Sequence, residues 1–577
     1  MVLRVDLSDQ TVTEEPIPDG WLERFIGGKG LGSRYLFDEV PQGVRPLAPQ
    51  NVLCLFRGPF SGFLPGTTRI VAITKSPLTG IFVDSYTGGT FAEAFVGALA
   101  AHAGIIITGR ADEPVMLHLA DGSGTIEPAT EQWGLDVAET TDSIDNGAVA
   151  CIGPAGEAKV RYATIATDAG KHHAGRGGTG AVMGSKRLKA IVAEGELPTD
   201  PGLESVRARY EDRFDRDHRG RWHRHSGTVE TIDAANATGV LPTRGWTEGR
   251  FEAAANLGVE AIKAVAGVRE RTTSEIPGDF ELDEQVPRGA LGIALGANLG
   301  IGTLDDVLEL GRTCDTLGLD VIEAGNALAW AMLAYEHQLI DRELGFGDVT
   351  AAKQLLFEIG TRSSRLGELL AEGIDRAAAS LGGDDLIPTV KSMSAASYDP
   401  RPSPGMALAF ATSDRGACHR RSRPIFDELL DTDPWDDDER IQVVIKEQNL
   451  RAVLWSYIVD DITAPAFEDD LGIEYFDAIG WETSSDELWL TGERIWTLTR
   501  LFNVREGITS VDDRLPTAFT RPIVTGPQTS AAVDPAAFEL LRDRYYRERG
   551  WAEDGRLTPA LLEEVSLAEL HHSSPQK

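Results

Sequence analysis

Residues 174–186 read Ala174-Gly-Arg-Gly-Gly-Thr-Gly-Ala-Val-Met-Gly-Ser-Lys186, with glycine at five of thirteen positions. Backbone without Cβ atoms lets N–H groups approach an anion closely, and Arg176 and Lys186 add charge. Two readings stand: a tight turn packed on a neighbour, or a cradle for an anionic cofactor. Gly175, Gly177 and Gly180 match G-x-G-x-x-G in form only, because the preceding Asp168 to His173 is polar and is not expected to be a strand. Around this turn, Val52-Leu-Cys-Leu-Phe56, Ile70-Val-Ala-Ile73, Ile105-Ile-Ile107 and Ala190-Ile-Val-Ala193 predict strands bounded by turns. Glu194 to Gly202 then runs through Leu-Pro-Thr-Asp-Pro, a linker signal. Beyond it the apolar spacing turns helical, as in Tyr335 to Leu344 and Leu366 to Leu381. The expected fold class is α+β. A β-rich domain should cover 1–196, and two mostly helical domains 197–388 and 389–577.

The chain has 577 residues, which suits about three domains. It carries 90 acidic against 55 basic residues, a net charge of −35, and only 11 of the basic residues are lysine. Such a surface repels phosphate backbones, so nucleic acid is excluded as a partner. An acid-rich, lysine-poor composition fits a halophilic cytoplasm, where salt screens self-repulsion. Four isolated cysteines, Cys54, Cys151, Cys314 and Cys418, form neither a disulfide framework nor a zinc motif. The start of the chain reads as an alternating strand without the features of a signal peptide. The most apolar window, Phe91 to Gly109, is interrupted by Glu93 and His102. It reads as a buried helix followed by a strand at Gly104-Ile-Ile-Ile-Thr108, not as a membrane span.

Three further segments can carry chemistry. Arg69 opens and Lys75 closes a strand, where two cations could hold phosphates or simply be surface charges; Asp84 to Gly89 after it reads as a turn. In Thr303 to Glu323, Thr303 with Asp306 predicts a helix start, and Gly318 suits the left-handed residue that ends the helix. Asp320 with Glu323 predicts the capping pair of the next helix. Residues 315–320 should then form a tight corner, either a plain helical hairpin or a place where exposed backbone groups meet a heteroaromatic ligand. His419 beside Cys418 is either a proton carrier or a structural histidine among arginines. His218 to His225 holds three histidines and reads as an exposed basic patch rather than a metal site.

In this order the segments resemble the aldehyde:ferredoxin oxidoreductase family of tungsten enzymes. The matching blocks are Gly27-Gly-Lys-Gly-Leu-Gly32, Thr74-Lys-Ser-Pro-Leu-Thr-Gly80, Ile152-Gly-Pro-Ala-Gly-Glu157, the glycine turn, Ala294-Leu-Gly-Ala-Asn-Leu-Gly-Ile301, Cys314-Asp-Thr-Leu-Gly-Leu-Asp320, Tyr398-Asp-Pro-Arg401, Arg415-Gly-Ala-Cys-His419, Gly492-Glu-Arg-Ile-Trp496 and Tyr545-Tyr-Arg-Glu-Arg-Gly-Trp551. The resemblance implies a β-rich base under two pyranopterins that chelate tungsten or molybdenum, with Mg as an accompanying ion, and two helical domains as cover. It implies oxidation of an aldehyde to a carboxylic acid, a 4Fe–4S cluster relaying electrons to ferredoxin or another redox protein, and a homodimer. By the same resemblance Asp315, Gly318, Leu319 and Asp320 form a D-x-x-G-L-D pterin motif. Arg69, Lys75, Gly175, Arg176, Gly177, Gly178, Asp399 and Arg401 face the cofactor, and His419 is the catalytic histidine. The cavity should lie where the three domains meet, lined by Arg69, Arg176, Asp315, Asp320 and His419.

The chain departs from that pattern at the cluster. The stretch expected to hold three cluster cysteines is Arg271-Thr-Thr-Ser-Glu-Ile-Pro-Gly-Asp-Phe280, which places Thr272, Glu275 and Asp279 there. The fourth cysteine falls in Trp455-Ser-Tyr-Ile-Val-Asp460, at Asp460. Cuboidal clusters need soft thiolates. An acidic stretch of the family is replaced by Pro287-Arg-Gly-Ala290, removing an active-site carboxylate. Three hypotheses follow: an oxidoreductase that keeps the metal-pterin without the cluster, a catalytically degenerate paralogue that binds pterin or pairs with an active relative, and a scaffold that keeps only the fold.

Overall fold

The computed structural model describes every residue except 65, 217–225, 269–279, 282–284, 461–462, 468–469 and 572–577. Twelve strands fall within the first third of the chain: β1 Val2–Asp6, β2 Thr11–Glu15, β3 Leu53–Phe56, β4 Ile70–Lys75, β5 Phe82–Thr87, β6 Gly104–Thr108, β7 Val115–Ala120, β8 Ser123–Pro128, β9 Ala148–Cys151, β10 Ile165–Thr167, β11 His172–Ala174 and β12 Leu188–Glu194. They build two mixed six-stranded sheets, ordered β2-β1-β6-β3-β4-β5 and β11-β10-β9-β12-β7-β8. Pairing is parallel for β1 with β6 and for β12 with β7.

The apolar runs that predict β3, β4 and β6 are unbroken because these strands of the first sheet are buried on both faces. Leu53, Leu55, Ile70, Ala72, Ile105 and Ile107 face the second sheet and the helix Thr90–Ala98. Cys54, Phe56, Val71, Ile73 and Ile106 face the opposite way, into the core shared with the helical part. The helix Gly28–Glu39 packs on that outer face. A side chain at Gly28 would meet the Trp455 carbonyl at 2.7 Å, and one at Gly58 would meet the Tyr457 carbonyl at 2.0 Å. These two glycines let the chain at 455–458 lie directly on the base.

The remaining segments are mostly helical, so the α+β expectation holds. Val321–Glu336 is buried along most of its length, and Asp437–Tyr457 packs against Ser485–Arg505. Several local expectations need correction. Residues 84–89 are not a turn: β5 pairs antiparallel with β4, Asp84 opposite Ile73, and Asp84 is polar because it sits in a buried ion network. His172–Ala174 is a short strand despite its polarity, paired with β10. The helix through Tyr335 stops at Glu336, and Gln338 then turns left-handed. The apolar stretch 366–381 is two helices, Arg365–Ala371 and Ile374–Leu381, broken at Gly373 with φ +99°. The Phe91 window divides into the helix Thr90–Ala98 and β6 as expected, and among the described residues no single helix is long and apolar enough to cross a membrane. The histidines at 218, 223 and 225 lie outside the described residues.

Candidate functional site

A cavity of about 290 Å³ lies between the β-rich base and the helical cover. Its wall is made by β5, the glycine turn after β11, the corner at 319–322, the loop at 415–423 and Trp455. Among the described residues, seven arginines line it, Arg69, Arg176, Arg288, Arg415, Arg420, Arg421 and Arg423, against one carboxylate, Asp320. In a chain of net charge −35 this is a strong local inversion of sign. A cavity of this kind concentrates anions.

The corner is stapled to the base by backbone hydrogen bonds. Thr164 N–H donates to the Gly318 carbonyl at 2.8 Å, and Asp320 N–H donates to the Tyr162 carbonyl at 3.0 Å. Gly318 takes φ +74°, and a Cβ there would press on the Gly153 nitrogen at 3.1 Å. Asp320 caps Val321–Glu336 by accepting from Ile322 N–H at 3.0 Å, and its other oxygen lies 3.1 Å from Arg176 Nε. Glu323 does not complete the expected capping box. Its carboxyl instead accepts from Ser394 N–H at 3.0 Å and Ser394 Oγ at 2.8 Å. Burial pushes the Glu323 carboxyl up to about 7 even though Arg176 acts against it, and burial likewise raises Asp320. Arg176 is fixed between these two acids and the Ser394 carbonyl, to which it donates at 2.8 Å. Thr303 does start its helix, but its hydroxyl bonds the Asp306 carboxylate and caps no backbone N–H.

Beneath β5 lies a second ionic layer. Lys29 Nζ is 3.0 Å from Asp84 and also pairs with Asp414, while Arg421 joins both acids. Tyr86 donates to Asp84 at 2.7 Å. Burial would raise the Asp84 carboxyl, but Arg421, Lys29 and Arg415 hold it well below the usual carboxylate range. Arg415 reaches from Asp84 to the thiol of Cys418, donating to its Sγ at 3.0 Å. Burial opposes ionisation of Cys418, but Arg415 and Arg421 outweigh it and lower the thiol pKa. His419 beside it lies edge-on to Tyr398, ring centroids 5.7 Å apart. Trp455 packs on Tyr86 at 3.9 Å, with the Arg420 guanidinium over its ring at 5.1 Å.

Of the residues expected at the site, Arg69, Gly175, Arg176, Leu319, Asp320 and His419 line the cavity together. The others are placed elsewhere. Lys75 points to the far end of its strand and pairs with Glu506 at 2.5 Å. Gly177 and Gly178 serve packing, since a Cβ would meet Val83 at 2.4 Å and the Arg161 carbonyl at 2.0 Å. Lys186 donates to the Pro49 and Gly109 carbonyls, both at 3.1 Å. Asp315 is one shell back, accepting from the cavity residue His173 at 3.0 Å, and Gly318 shapes the turn without reaching the wall. Asp399 and Arg401 pair with each other, and Arg401 is anchored to the Trp246 and Arg521 carbonyls away from the cavity. Asp460 is fully buried and pairs with Arg69 and Arg420. Thr272, Glu275 and Asp279 lie outside the described residues.

Sequence reasoning missed the cavity roles of Arg288, Tyr86, Trp455 and the pair His172 and His173. The run of arginines at 415–423 in a chain of net charge −35 was the available signal.

The wall's chemistry can be tested against the cofactor that the resemblance implies. Arg69 Nε, Arg415 Nε, Arg421 Nη1 and Trp455 Nε1 are buried donors with no hydrogen-bond partner among the described residues. All four belong to residues of the cavity wall. Buried donors are ordinarily satisfied, so four orphans on one wall fit an oxygen-rich anionic ligand. Among the described residues no group of three or more His, Cys, Asp or Glu side chains could itself hold a metal ion.

A β-rich base, a helical cover and the cationic cleft between them define the class of protein. Comparison with known proteins makes the class specific. The family description "Aldehyde ferredoxin oxidoreductase, N-terminal domain" matches residues 2–195, and "Aldehyde ferredoxin oxidoreductase, domains 2 & 3" matches residues 205–567. A tungsten-containing aldehyde ferredoxin oxidoreductase of Pyrococcus horikoshii is 35% identical over 98% of both chains. The WOR-like subunit of an aliphatic sulfonate oxidoreductase from Pyrococcus furiosus is 27% identical over 98% of this chain and 97% of its own. The solved BamBC active-site complex of benzoyl coenzyme A reductase shares the fold, with a TM-score of 0.85 at 22% identity, covering 99% of this chain and 97% of the other. This chain belongs to the aldehyde ferredoxin oxidoreductase family.

Proposed function

We propose that the protein oxidises an aldehyde to a carboxylic acid at a tungsten or molybdenum bis-pterin held in the arginine-lined cavity. The four orphaned buried donors on the cavity wall carry this reading. When bound, the metal-pterin supplies the two-electron chemistry. Arg69, Arg415 and Arg421 would hold it through N–H groups that bond nothing among the described residues, with the Arg176–Asp320 pair beside them on the wall. His419, on the wall of the same space, is the proton carrier of this reading. The reading includes ferredoxin or another redox protein as electron acceptor, a cytoplasmic location in a high-salt cell, and domains at 1–196, 197–388 and 389–577.

A second reading has a specific observation in its favour. Arg288 stands on the cavity wall in the segment where the resemblance expects a carboxylate, so a paralogue that binds the cofactor without turning over is its natural alternative. Anaerobically purified protein, assayed for aldehyde-dependent reduction of a one-electron dye, separates the two. Turnover supports the enzyme; metal-loaded protein that reduces no dye supports the paralogue.

A further inference from the structure

We infer that this chain holds no 4Fe–4S cluster, and that the place the resemblance gives to the cluster's fourth thiolate is an arginine-clamped carboxylate, Asp460. The inference rests on the donor set rather than on the function proposed above. A cuboidal cluster is held by several thiolates brought to one point. The whole chain contains four cysteines, and all four lie among the described residues. They are dispersed: Cys54 is in β3 of the first sheet, Cys151 in β9 of the second, Cys314 inside the helix Leu304–Leu317, and Cys418 on the cavity wall.

Burial raises the thiols of Cys54, Cys151 and Cys314, with Cys151 pushed up to about 11. Cys418 alone is shifted down, by Arg415 and Arg421, and its sulfur accepts from Arg415. Four cysteines on four separate elements do not bring several thiolates to one point. Whatever the placement of Thr272, Glu275 and Asp279, none of them carries sulfur.

Asp460 is built for a different task. It follows the segment that Gly28 and Gly58 let lie on the base, and its side chain has no exposure to solvent. Its carboxylate pairs with Arg69, the first residue of the cavity wall contributed by the base, and with Arg420 at 2.8 Å, which covers Trp455. A hard carboxylate between two guanidiniums is a strong ion bridge and a poor iron ligand beside sulfide. Asp460 therefore ties the loop carrying His419 and Arg420 to Arg69, the residue immediately before β4.

The test is iron content and low-temperature electron paramagnetic resonance of dithionite-reduced protein. The protein is purified anaerobically from iron-replete cells that also express a 4Fe–4S ferredoxin as a loading control. The expected result is well under about one iron per chain and no reduced-cluster signal, with the ferredoxin loaded. About four irons per chain with such a signal overturns the inference. Asp460→Cys should leave iron unchanged, because the remaining thiolates are still missing; a rise to about four irons overturns it equally. Asp460→Asn should lower the melting temperature by several degrees as two arginines lose their shared carboxylate, and an unchanged melting temperature removes the clamp. Tungsten and molybdenum measured on the same samples report on the aldehyde reading separately, so the failure of either is visible by itself.

Discussion

Arg176 owes its position to two acids of unequal role. Asp320 caps a helix and meets the guanidinium at 3.1 Å, while Glu323 lies behind at 3.7 Å and is held by Ser394. Burial raises the folded-state pKa of Glu323 to about 7 from an ordinary value of 4.5. An acid raised in this way leaves folding unpenalised below its unfolded pKa. It costs stability progressively as pH rises toward the folded value, because the unfolded chain ionises first. The wild-type melting temperature should therefore carry a component that falls between about pH 4.5 and pH 7. Glu323→Gln should lack that component and have a flatter profile across the window. Parallel wild-type and variant profiles would show that Glu323 ionises normally in the folded protein.

At the scale of elements, the corner at 315–320 depends on a left-handed residue pressed against the base. Gly318→Ala meets both the strain of φ +74° and the Gly153 nitrogen 3.1 Å away. Gly480→Ala at φ +73° meets the strain alone, with nothing within 4 Å of the new Cβ. Chemical denaturation should show Gly480→Ala destabilised by about 1 kcal/mol and Gly318→Ala by clearly more. Equal losses would mean that the corner yields easily. This corner was legible in the sequence because its determinants are local: Thr303, Gly318 and Asp320 each act within a few residues. The two-faced strands β3, β4 and β6 were legible for the same reason. β5 was not, since Asp84 and Ser85 look like turn residues until Lys29, Arg415 and Arg421 are brought in from distant segments. The cavity itself was only partly legible. Arg69, Arg176, Arg288 and Arg421 come from four separate stretches, and no spacing rule relates them. Lys75 and Arg401 drew notice as cations near matching blocks, yet each finds a nearby carboxylate and turns away from the wall.

At the scale of the whole molecule, two opposite electrostatic regimes coexist. The chain carries −35 overall, while among the described residues its cavity is lined by seven arginines and one carboxylate. The acidic surface repels itself at low ionic strength, so the melting temperature should rise markedly between dilute buffer and molar potassium chloride. A flat salt response would contradict the high-salt reading of the composition. The cavity charge asks for a bound anion, and that is the central claim. Its most direct measurement is the tungsten, molybdenum and pterin content of protein purified anaerobically from cells supplied with both metals. The account predicts about one tungsten or molybdenum per chain accompanied by pterin, lost together when the protein is unfolded. Protein that is folded, supplied with both metals and still carries neither metal nor pterin would contradict it.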